Sequence, residues 1–339
     1  MIKMRDIADN AGVSVATVSA VLSRRVTKIP VSGKTRDKVI DAIRKMDYHV
    51  NDHARSLRSG RSNTIGVVVS DITQPFSGEM VRVVEQEVNR RNYNFLLSDT
   101  QNNREKEKFY LSLFRQKKID GILFVGATNE LEDEGILMLV EHGIPVVLTE
   151  RETQQHNVPC ILVDNKEGGY LATKHLIKEG HKKIGHITGP RENAITSQRM
   201  EGYRSAMNEY GLTCPEELIV EGGFTLDCGY KAMEELLGQV DIPTAVFAFN
   251  DTLALGAIRA IRDRHLSVPQ DVAVVGFDDI PMAAYSEPPL TTVRQPILNM
   301  GREGTGLLLD ILNGKYPKNY YKKIVLDPVL IVRKSCGHT

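Results

Sequence analysis

Short apolar runs recur along the chain from residue 62 onwards, separated by longer stretches in which the apolar positions are spaced out. The runs are nearly continuous and rich in Val and Ile, as in "TIGVVVSDI" and "VAVVGFDD". This composition is typical of strands in a parallel sheet that is covered on both faces. We predict such strands at 64–72, 94–100, 121–127, 144–150, 160–165, 183–189, 245–251 and 272–279.

The stretches between these runs show helical periodicity. Met80, Val83, Val84 and Val88 fall at i, i+3, i+4 and i+8, which places them on one face of a helix over 79–92. Strands that alternate with helices predict βαβ units with right-handed crossovers. The other predicted helices are 104–117, 131–142, 167–179, 197–210, 227–238 and 252–264.

The number of predicted strands indicates two lobes. About ten strands are more than one open sheet comfortably holds. We therefore predict two doubly wound parallel-sheet lobes, with the break near 159–161. The first lobe would take about 62–160 and 294–325, and the second about 161–291 and 326–339.

The N-terminal residues follow a different pattern, with three helical segments and no strand. The segments lie at about 5–12, 15–23 and 32–46, and Gly12 separates the first two. Ser32 is placed to cap the third helix. A helix, a Gly-containing turn and a second helix have the shape of a helix-turn-helix, in which the second helix enters the DNA major groove.

The second helix, "VATVSAVL", has two different faces. We predict a core face of Val18, Val21 and Leu22. The predicted outward residues are Val15, Ala16, Thr17, Ser19 and Ala20, with Ser14 as the N-cap. Exposed methyl groups suit thymine methyls in a groove, and hydroxyls suit phosphates. The alternative from the pattern alone is a small amphipathic helix with no DNA contact.

The distribution of charge favours the DNA-binding interpretation. Residues 1–61 hold 13 Lys and Arg against 6 Asp and Glu, although the whole chain has a formal net charge of zero. A basic end of this kind is expected of a segment that meets a polyanion.

Acidic residues, one amide and one aromatic residue lie at strand ends, where ligands bind in parallel α/β sheets. We predict a cleft between the lobes rimmed by these residues. The alternative for each one is a helix cap or a turn. They are Asp71, Asp99, Glu150, Asp164, Phe224, Asn250, Asp251, Asp278 and Asp279.

Other functional classes lack their sequence signals. The chain shows no P-loop, G-x-S-x-G, H-E-x-x-H or Gly-rich dinucleotide loop, so we expect no enzyme, no metal site and no cofactor. The four cysteines show no C-x-x-C spacing. We expect a cytoplasmic protein without a membrane span or secretion signal. A periplasmic transport receptor would need such a signal and would not need residues 1–61.

Motifs along the whole chain resemble those of the LacI/GalR family of bacterial transcription regulators. The resemblance implies a helix-turn-helix domain over 1–49, a hinge helix or linker over 50–61, and an effector-binding and dimerisation domain over 62–339 with a periplasmic-binding-protein-like fold. The motifs are "MRDIADNAGVSVATVSAVL", "VNDHARSLRSGRSNTIGVVVSDITQPF", "KKIDGILFVG", "GHKKIGHITGP", "RMEGYRSAM", "PTAVFAFNDTLALGA", "VPQDVAVVGFDDI" and "PPLTTVRQP".

The resemblance also assigns DNA contacts on a pseudo-palindromic double-stranded operator. Leu57 taken alone could equally pack on the core domain, whereas the family implies a wedge inserted between base pairs. The implied base contacts are Val15, Ala16 and Ala20, the backbone contacts are Ser14, Thr17 and Arg24, and the minor-groove contacts are Leu57 and Arg58.

The resemblance implies a small-molecule effector that switches operator affinity. We expect a sugar or sugar derivative, because Asn193 and Ile195 stand where purine-responsive members carry polar or charged groups for the base. A purine or another metabolite is the alternative. The implied effector contacts are Phe76, Asn193, Arg199, Phe224, Asn250 and Asp278.

The family further implies a homodimer that acts as a repressor. Only "RKSCGHT" follows Val332, which leaves no room for the leucine heptads that build tetramers. We therefore expect a dimer rather than a tetramer.

Overall fold

The computed structural model describes residues 2–22, 30–48, 61–126, 134–153 and 157–337. The chain forms two compact units, Met1–Asn63 and Thr64–Thr339. Arg24, Leu57 and Arg58, and almost all of the predicted hinge over 50–61, lie outside the described residues.

The first unit contains three helices, α1 (Met4–Ala11), α2 (Val15–Leu22) and α3 (Gly33–Lys45), in agreement with the prediction. Gly12 ends α1 with φ 65°, a left-handed conformation that glycine adopts without a Cβ clash. Ser14 Oγ accepts from the backbone N–H of Thr17 at 3.1 Å, and Ser32 Oγ accepts from that of Thr35 at 3.2 Å. These caps fix where α2 and α3 begin. The shared core consists of Ile7, Ala8, Ala11, Val18, Val39 and Ala42.

The first sheet of the larger unit has six strands, all paired in parallel, in the order β11-β5-β4-β3-β1-β2. Nearly every residue of β1, β3 and β4 is buried, as their continuous apolar runs predicted. The strands are β1 (Thr64–Val69), β2 (Asn94–Asp99), β3 (Gly121–Val125), β4 (Val146–Thr149), β5 (Cys160–Val163) and β11 (Lys323–Leu326).

The second sheet also has six strands, in the order β12-β10-β9-β8-β6-β7. All pairs are parallel except β10 with β12, which is antiparallel. The strands are β6 (Ile184–Thr188), β7 (Ile219–Glu221), β8 (Ala245–Ala248), β9 (Ala273–Asp278), β10 (Thr291–Arg294) and β12 (Val329–Ile331). The strands β7, β10, β11 and β12 were absent from the strands predicted individually. β7, β11 and β12 lie at sheet edges and are partly exposed, and β10 is "TTVR", so none of the four has a long continuous apolar run.

Helices lie between the strands as predicted, and Met80, Val83, Val84 and Val88 are all buried. A final long helix over 297–312, missing from the prediction, packs against the 75–90 helix, where Gly301 lies against Val83. The helices are α4 (Pro75–Arg90), α5 (Arg104–Gln116), α6 (Glu134–Glu141), α7 (Asn165–Lys178), α8 (Ala194–Glu209), α9 (Leu226–Leu237), α10 (Asp251–Asp263), α11 (Pro281–Tyr285) and α12 (Ile297–Leu312).

The chain passes between the two lobes after Val163, after Arg294 and after Leu326. The predicted break near 159–161 is therefore wrong by a few residues. β5 pairs with β4 and β11 in the first sheet, and Asp164 then caps α7, which packs on the second sheet. A strand that completes a sheet by pairing carries no boundary signal in its own sequence.

Candidate ligand cleft and DNA-binding head

A cavity lies between the two lobes, at the ends of strands from both sheets. The cavity is lined by all six residues predicted to contact an effector, Phe76, Asn193, Arg199, Phe224, Asn250 and Asp278. The sequence analysis did not assign Glu150, Phe249 or Gln295 to effector contact, although Glu150 was noted at a strand end.

The first lobe contributes the start of α4 and the ends of β1 and β4. Pro75 and Phe76 occupy the first turn of α4, and Phe76 is buried. Asp71 accepts from the N–H and the hydroxyl of Thr73, at 2.9 and 2.6 Å, and from Gln74 Nε2 at 3.2 Å. The pKa of Asp71 is lowered overall. Burial alone would raise it, but the combined effect of these hydrogen bonds is larger.

Arg199 is the central group of the second lobe and is 2% exposed. Its guanidinium carbon lies 3.5 Å from the ring centroid of Phe277 and 4.5 Å from that of Phe249. Its Nε donates to Asn165 Oδ1 at 2.9 Å, and Nη2 is 3.8 Å from Asp278 Oδ1. Burial lowers the pKa of Arg199, opposed chiefly by Asp278. Stacking and hydrogen bonds therefore hold the guanidinium in one orientation.

Close packing of α7 against α8 sets the position of Arg199. A Cβ on Gly169 would overlap the backbone carbonyl of Arg199, and one on Gly202 would overlap the carbonyl of Lys166. The two glycines therefore allow the helices to approach closely enough for Asn165 to reach the guanidinium.

Two carboxyl groups and one amide meet where the lobes join. Gln295 Nε2 donates to Asp278 Oδ1 at 2.8 Å, and Gln295 also lies beside Glu150. Burial raises the pKa of Asp278 to about 6, against the effect of Arg199. Burial raises the pKa of Glu150 to about 7, with a further contribution from the nearby Asp278. Gln295 Oε1 has no hydrogen-bond partner within the described part of the chain.

The remaining predicted contacts are an aromatic ring and two helix caps. Phe224 packs edge-to-face on Phe249, with centroids 5.8 Å apart. Asn193 Oδ1 accepts from the N–H of Ile195 at 2.9 Å, and Asn250 Oδ1 from that of Leu253 at 2.8 Å. Because both oxygens cap helices, the amide nitrogens are the polar atoms left for a ligand.

Several strand-end acids have local roles, as the alternative interpretation held. Asp99 accepts from the N–H of Ile72 at 3.2 Å, and Asp164 accepts from that of Glu167 at 2.8 Å. Asp251 accepts from the N–H of Ile280 at 2.8 Å and from Thr292 at 2.5 Å, and Asp279 pairs with Arg294 and Arg333 at 2.6 Å. None of these four acids lines the cleft.

The head exposes part of the face predicted to meet DNA. Val15 is 43% exposed, Ala16 and Ser14 are exposed, and Thr17 is partly exposed. Ala20 is only 7% exposed, so the prediction that it faces outward is wrong.

Two further features of the described residues bear on function. No helix among them is long and apolar enough to cross a membrane. In the same residues, no three His, Cys, Asp or Glu side chains are grouped as metal ligands.

The side chain of His186 is fully buried between Tyr203 and Phe247, and burial lowers the pKa of its imidazole to about 4.

Comparison with known families agrees with this arrangement. Residues 3–51 match the family described as "Bacterial regulatory proteins, lacI family", and residues 173–336 match "Periplasmic binding protein-like domain". The fold and the cleft thus define a bacterial DNA-binding regulator with a periplasmic-binding-protein-like core.

Whole-chain relatives identify the family. The HTH-type transcriptional repressor PurR of Haemophilus influenzae (strain PittEE) is 38% identical over 99% of this chain and 98% of its own. The HTH-type transcriptional regulator DegA of Bacillus subtilis (strain 168) is 37% identical over 97% of this chain and 96% of its own. The chain belongs to the LacI family of bacterial transcriptional regulators.

Solved structures show the same fold over almost the full length. The lac repressor dimer bound to operator and the anti-inducer ONPF superposes with a TM-score of 0.85, at 26% identity, with 99% of each chain covered. A transcriptional regulator CelR–cellobiose complex has a TM-score of 0.75 at 33% identity, covering 99% of this chain and 100% of the other.

Proposed function

We propose that this protein is a homodimeric repressor whose affinity for an operator is controlled by a small molecule in the cleft between the lobes. The observation that carries the proposal is the convergence of Phe76 from one lobe with Arg199, Phe224 and Asp278 from the other in one cavity. That cavity belongs to a chain with a LacI-family head. The two units supply the two binding activities that a ligand-controlled regulator needs.

The head would read DNA through a short apolar surface. Val15 and Ala16 are exposed at the start of α2, where a recognition helix contacts base edges, and their methyl groups suit thymine. Ser14, Thr17 and Arg24 would contact phosphates. Leu57 and Arg58 would enter the minor groove. Ala20 is buried and contributes little to this proposed surface.

The relatives change the expected effector. The 38% identical relatives are named PurR, which favours a purine over the sugar expected from Asn193 and Ile195. The cleft chemistry supports a planar base, because Phe76 and Phe224 offer rings and Asn193 keeps an amide nitrogen for it. We therefore propose a purine base as the first candidate.

A sugar is the second candidate. The structural neighbour CelR is in complex with cellobiose, and a LacI family regulator from Enterococcus faecium has bound ribose. Carboxylates, amides and aromatic rings also suit hydroxyl-rich ligands.

A thermal-shift screen of the full chain separates the candidates. Hypoxanthine, guanine and adenine would be compared with cellobiose, ribose and galactose, since a ligand of the folded state raises the melting temperature. Each compound that binds would then be added to a fluorescence anisotropy titration of an operator selected from random DNA. We expect a purine base to raise the melting temperature and to change operator affinity. A compound that binds without changing operator affinity would contradict the proposed control.

A further inference from the structure

Acidic side chains outnumber basic side chains in the cleft. Among the described residues that line it, Asp71, Glu150 and Asp278 are acids and Arg199 is the single Arg or Lys. The charge of Arg199 is already balanced by that of Asp278, since Nη2 lies 3.8 Å from Asp278 Oδ1 and both side chains are buried. A second negative charge would therefore meet carboxylates without an available cation.

Hydrogen-bond acceptors also outnumber hydrogen-bond donors around Gln295 and Glu150. Gln295 must present Nε2 to Asp278, because a carboxylate oxygen accepts and does not donate. Its Oε1 is left unpartnered within the described residues, and Gln295 is only 3% exposed. Glu150 lines the same cavity, beside Gln295. Buried acceptors without donors are costly, so a ligand that supplies donors here gains affinity.

The backbone at Glu150 supports a ligand-directed role. Its φ is 58°, a left-handed conformation that non-glycine residues rarely adopt. Such strain clusters at ligand sites, where the surrounding structure holds a side chain in a required position. Glu152, two residues further on, is instead exposed and pairs with Lys323 at 2.6 Å.

We propose that the cleft selects an effector without negative charge, which donates hydrogen bonds to Glu150 and to Gln295 Oε1, and that it rejects phosphorylated or carboxylated forms of the same molecule. This inference rests on the proposed function. It applies equally to a purine base and to a sugar, because both carry N–H or O–H donors.

Helix N-termini at the cleft do not reverse this preference. The first turns of α8 and α10 are capped by Asn193 and Asn250, and each side chain already accepts from one backbone N–H group of its turn. The favourable interaction of an anion with a helix terminus is smaller than the cost of placing a phosphate beside buried carboxylates.

Matched pairs of ligands test the inference by isothermal titration calorimetry on the full chain at pH 8, above the raised pKa values of Asp278 and Glu150, about 6 and about 7. The pairs are inosine with inosine 5′-monophosphate, guanosine with its 5′-monophosphate, ribose with ribose 5-phosphate, and glucose with glucose 6-phosphate. Hypoxanthine, guanine and cellobiose are added as neutral ligands. We expect binding by a neutral compound and at least tenfold weaker binding by its phosphorylated form. A phosphorylated compound that binds as tightly as its neutral partner would overturn the inference.

The operator assay separates this failure from failure of the proposed function. If a phosphorylated compound binds and alters operator affinity, the protein is still ligand-controlled and only the selection against anions is wrong. If none of these compounds at about 10 mM, enough to detect binding with a Kd below about 1 mM, raises the melting temperature, the proposed ligands and this inference both fail.

Glu150→Gln tests the residue that carries the inference. The variant keeps the shape of the side chain and removes a half-buried charge, so it should fold. We expect at least tenfold weaker binding of the neutral ligand and a smaller difference between the neutral and phosphorylated forms. Glu152→Gln, its matched control, should behave as the wild type. Unchanged affinity and unchanged discrimination in Glu150→Gln would overturn the role of Glu150.

Discussion

Single residues in the cleft combine structural and ligand-directed roles. Asn193 and Asn250 use their oxygens as helix caps, and the guanidinium of Arg199 stacks on Phe277 and Phe249. Asp278 hydrogen bonds to Gln295 and faces Arg199. Because these contacts join protein side chains to one another, a substitution can remove one proposed ligand contact while its neighbours stay in place.

Asp278→Asn should weaken effector binding and spare operator binding in the absence of effector. Asn tolerates the φ of 112° at this position, so the change removes charge with little strain. Loss of one charge-assisted hydrogen bond costs about 1.5–3 kcal/mol, or roughly ten- to more than a hundredfold in affinity. Calorimetry with the identified effector measures this change. The exposed Asp227→Asn serves as the control, and wild-type effector affinity in Asp278→Asn would remove Asp278 from the site.

Glu150 should make stability depend on pH. Because burial raises its pKa to about 7, the folded protein holds this proton between about pH 4.5 and 7, and the free energy of unfolding falls as the pH rises through that window. The Glu150→Gln variant has no carboxyl group at this position, so it should not show this fall in the free energy of unfolding. We expect the variant to exceed the wild type by on the order of 1–3 kcal/mol at pH 8 and by little at pH 4.

Urea denaturation at both pH values measures this difference. Glu150 faces Arg199, Asp278 and Gln295, and Asp278 titrates in the same range, so part of the pH dependence should survive in the variant. An equal stability difference between variant and wild type at pH 4 and pH 8 would contradict the assignment to Glu150.

At the scale of elements, short local signals define the head. The Gly12 turn and the Ser14 and Ser32 caps place three helices around one small core. The start of α2 then exposes Val15 and Ala16, which lack a long polar side chain for bidentate contact with a base. Apolar methyl contacts are the readout that remains at these positions.

Replacing thymine by uracil should reveal that readout. In a selected operator, uracil at a base contacted by Val15 or Ala16 removes one methyl group, worth about 0.8 kcal/mol or roughly fourfold in affinity. In the Val15→Ser variant, uracil at the base that residue 15 contacts should no longer lower the operator affinity. Fluorescence anisotropy measures the effect, with thymines outside the half-sites as controls. Equal affinity for every uracil-substituted operator would contradict methyl recognition by α2.

At the scale of the whole molecule, the two lobes are built from interleaved segments. The chain passes between them three times, and Gln295 lies directly after the second passage. The outer strand β2 exposes Leu96 and Leu97, at 45% and 43%. An edge strand with exposed apolar residues favours association with another protein surface. A second copy of this chain is the partner that we propose here, because an operator with two half-sites requires two DNA-binding heads.

The double variant Leu96→Asp/Leu97→Asp should therefore shift the proposed dimer towards monomer. Operator affinity should fall by more than tenfold, since a monomer offers one head. Light scattering at micromolar concentration measures the mass, and Val240→Asp, on a fully exposed residue, is the control. A wild-type monomer, or a double variant that remains dimeric, would count against this interface.

The sequence by itself determined most of the helices and eight apolar strands, with their order along the chain. Continuous Val- and Ile-rich runs are recognisable because strands covered on both faces exclude polar residues, and caps such as Ser32 are local in sequence. The strand-end pattern supplied Phe224, Asn250 and Asp278, and resemblance to a family added Phe76, Asn193 and Arg199, which no local pattern connects to the cleft. The tertiary structure decided what depends on distant parts of the chain: β5 in the first sheet, the burial of Ala20, and the meeting of Glu150 with Gln295 and Asp278. These outcomes depend on strand pairing, packing and desolvation between residues far apart in sequence, which leave no local pattern to detect.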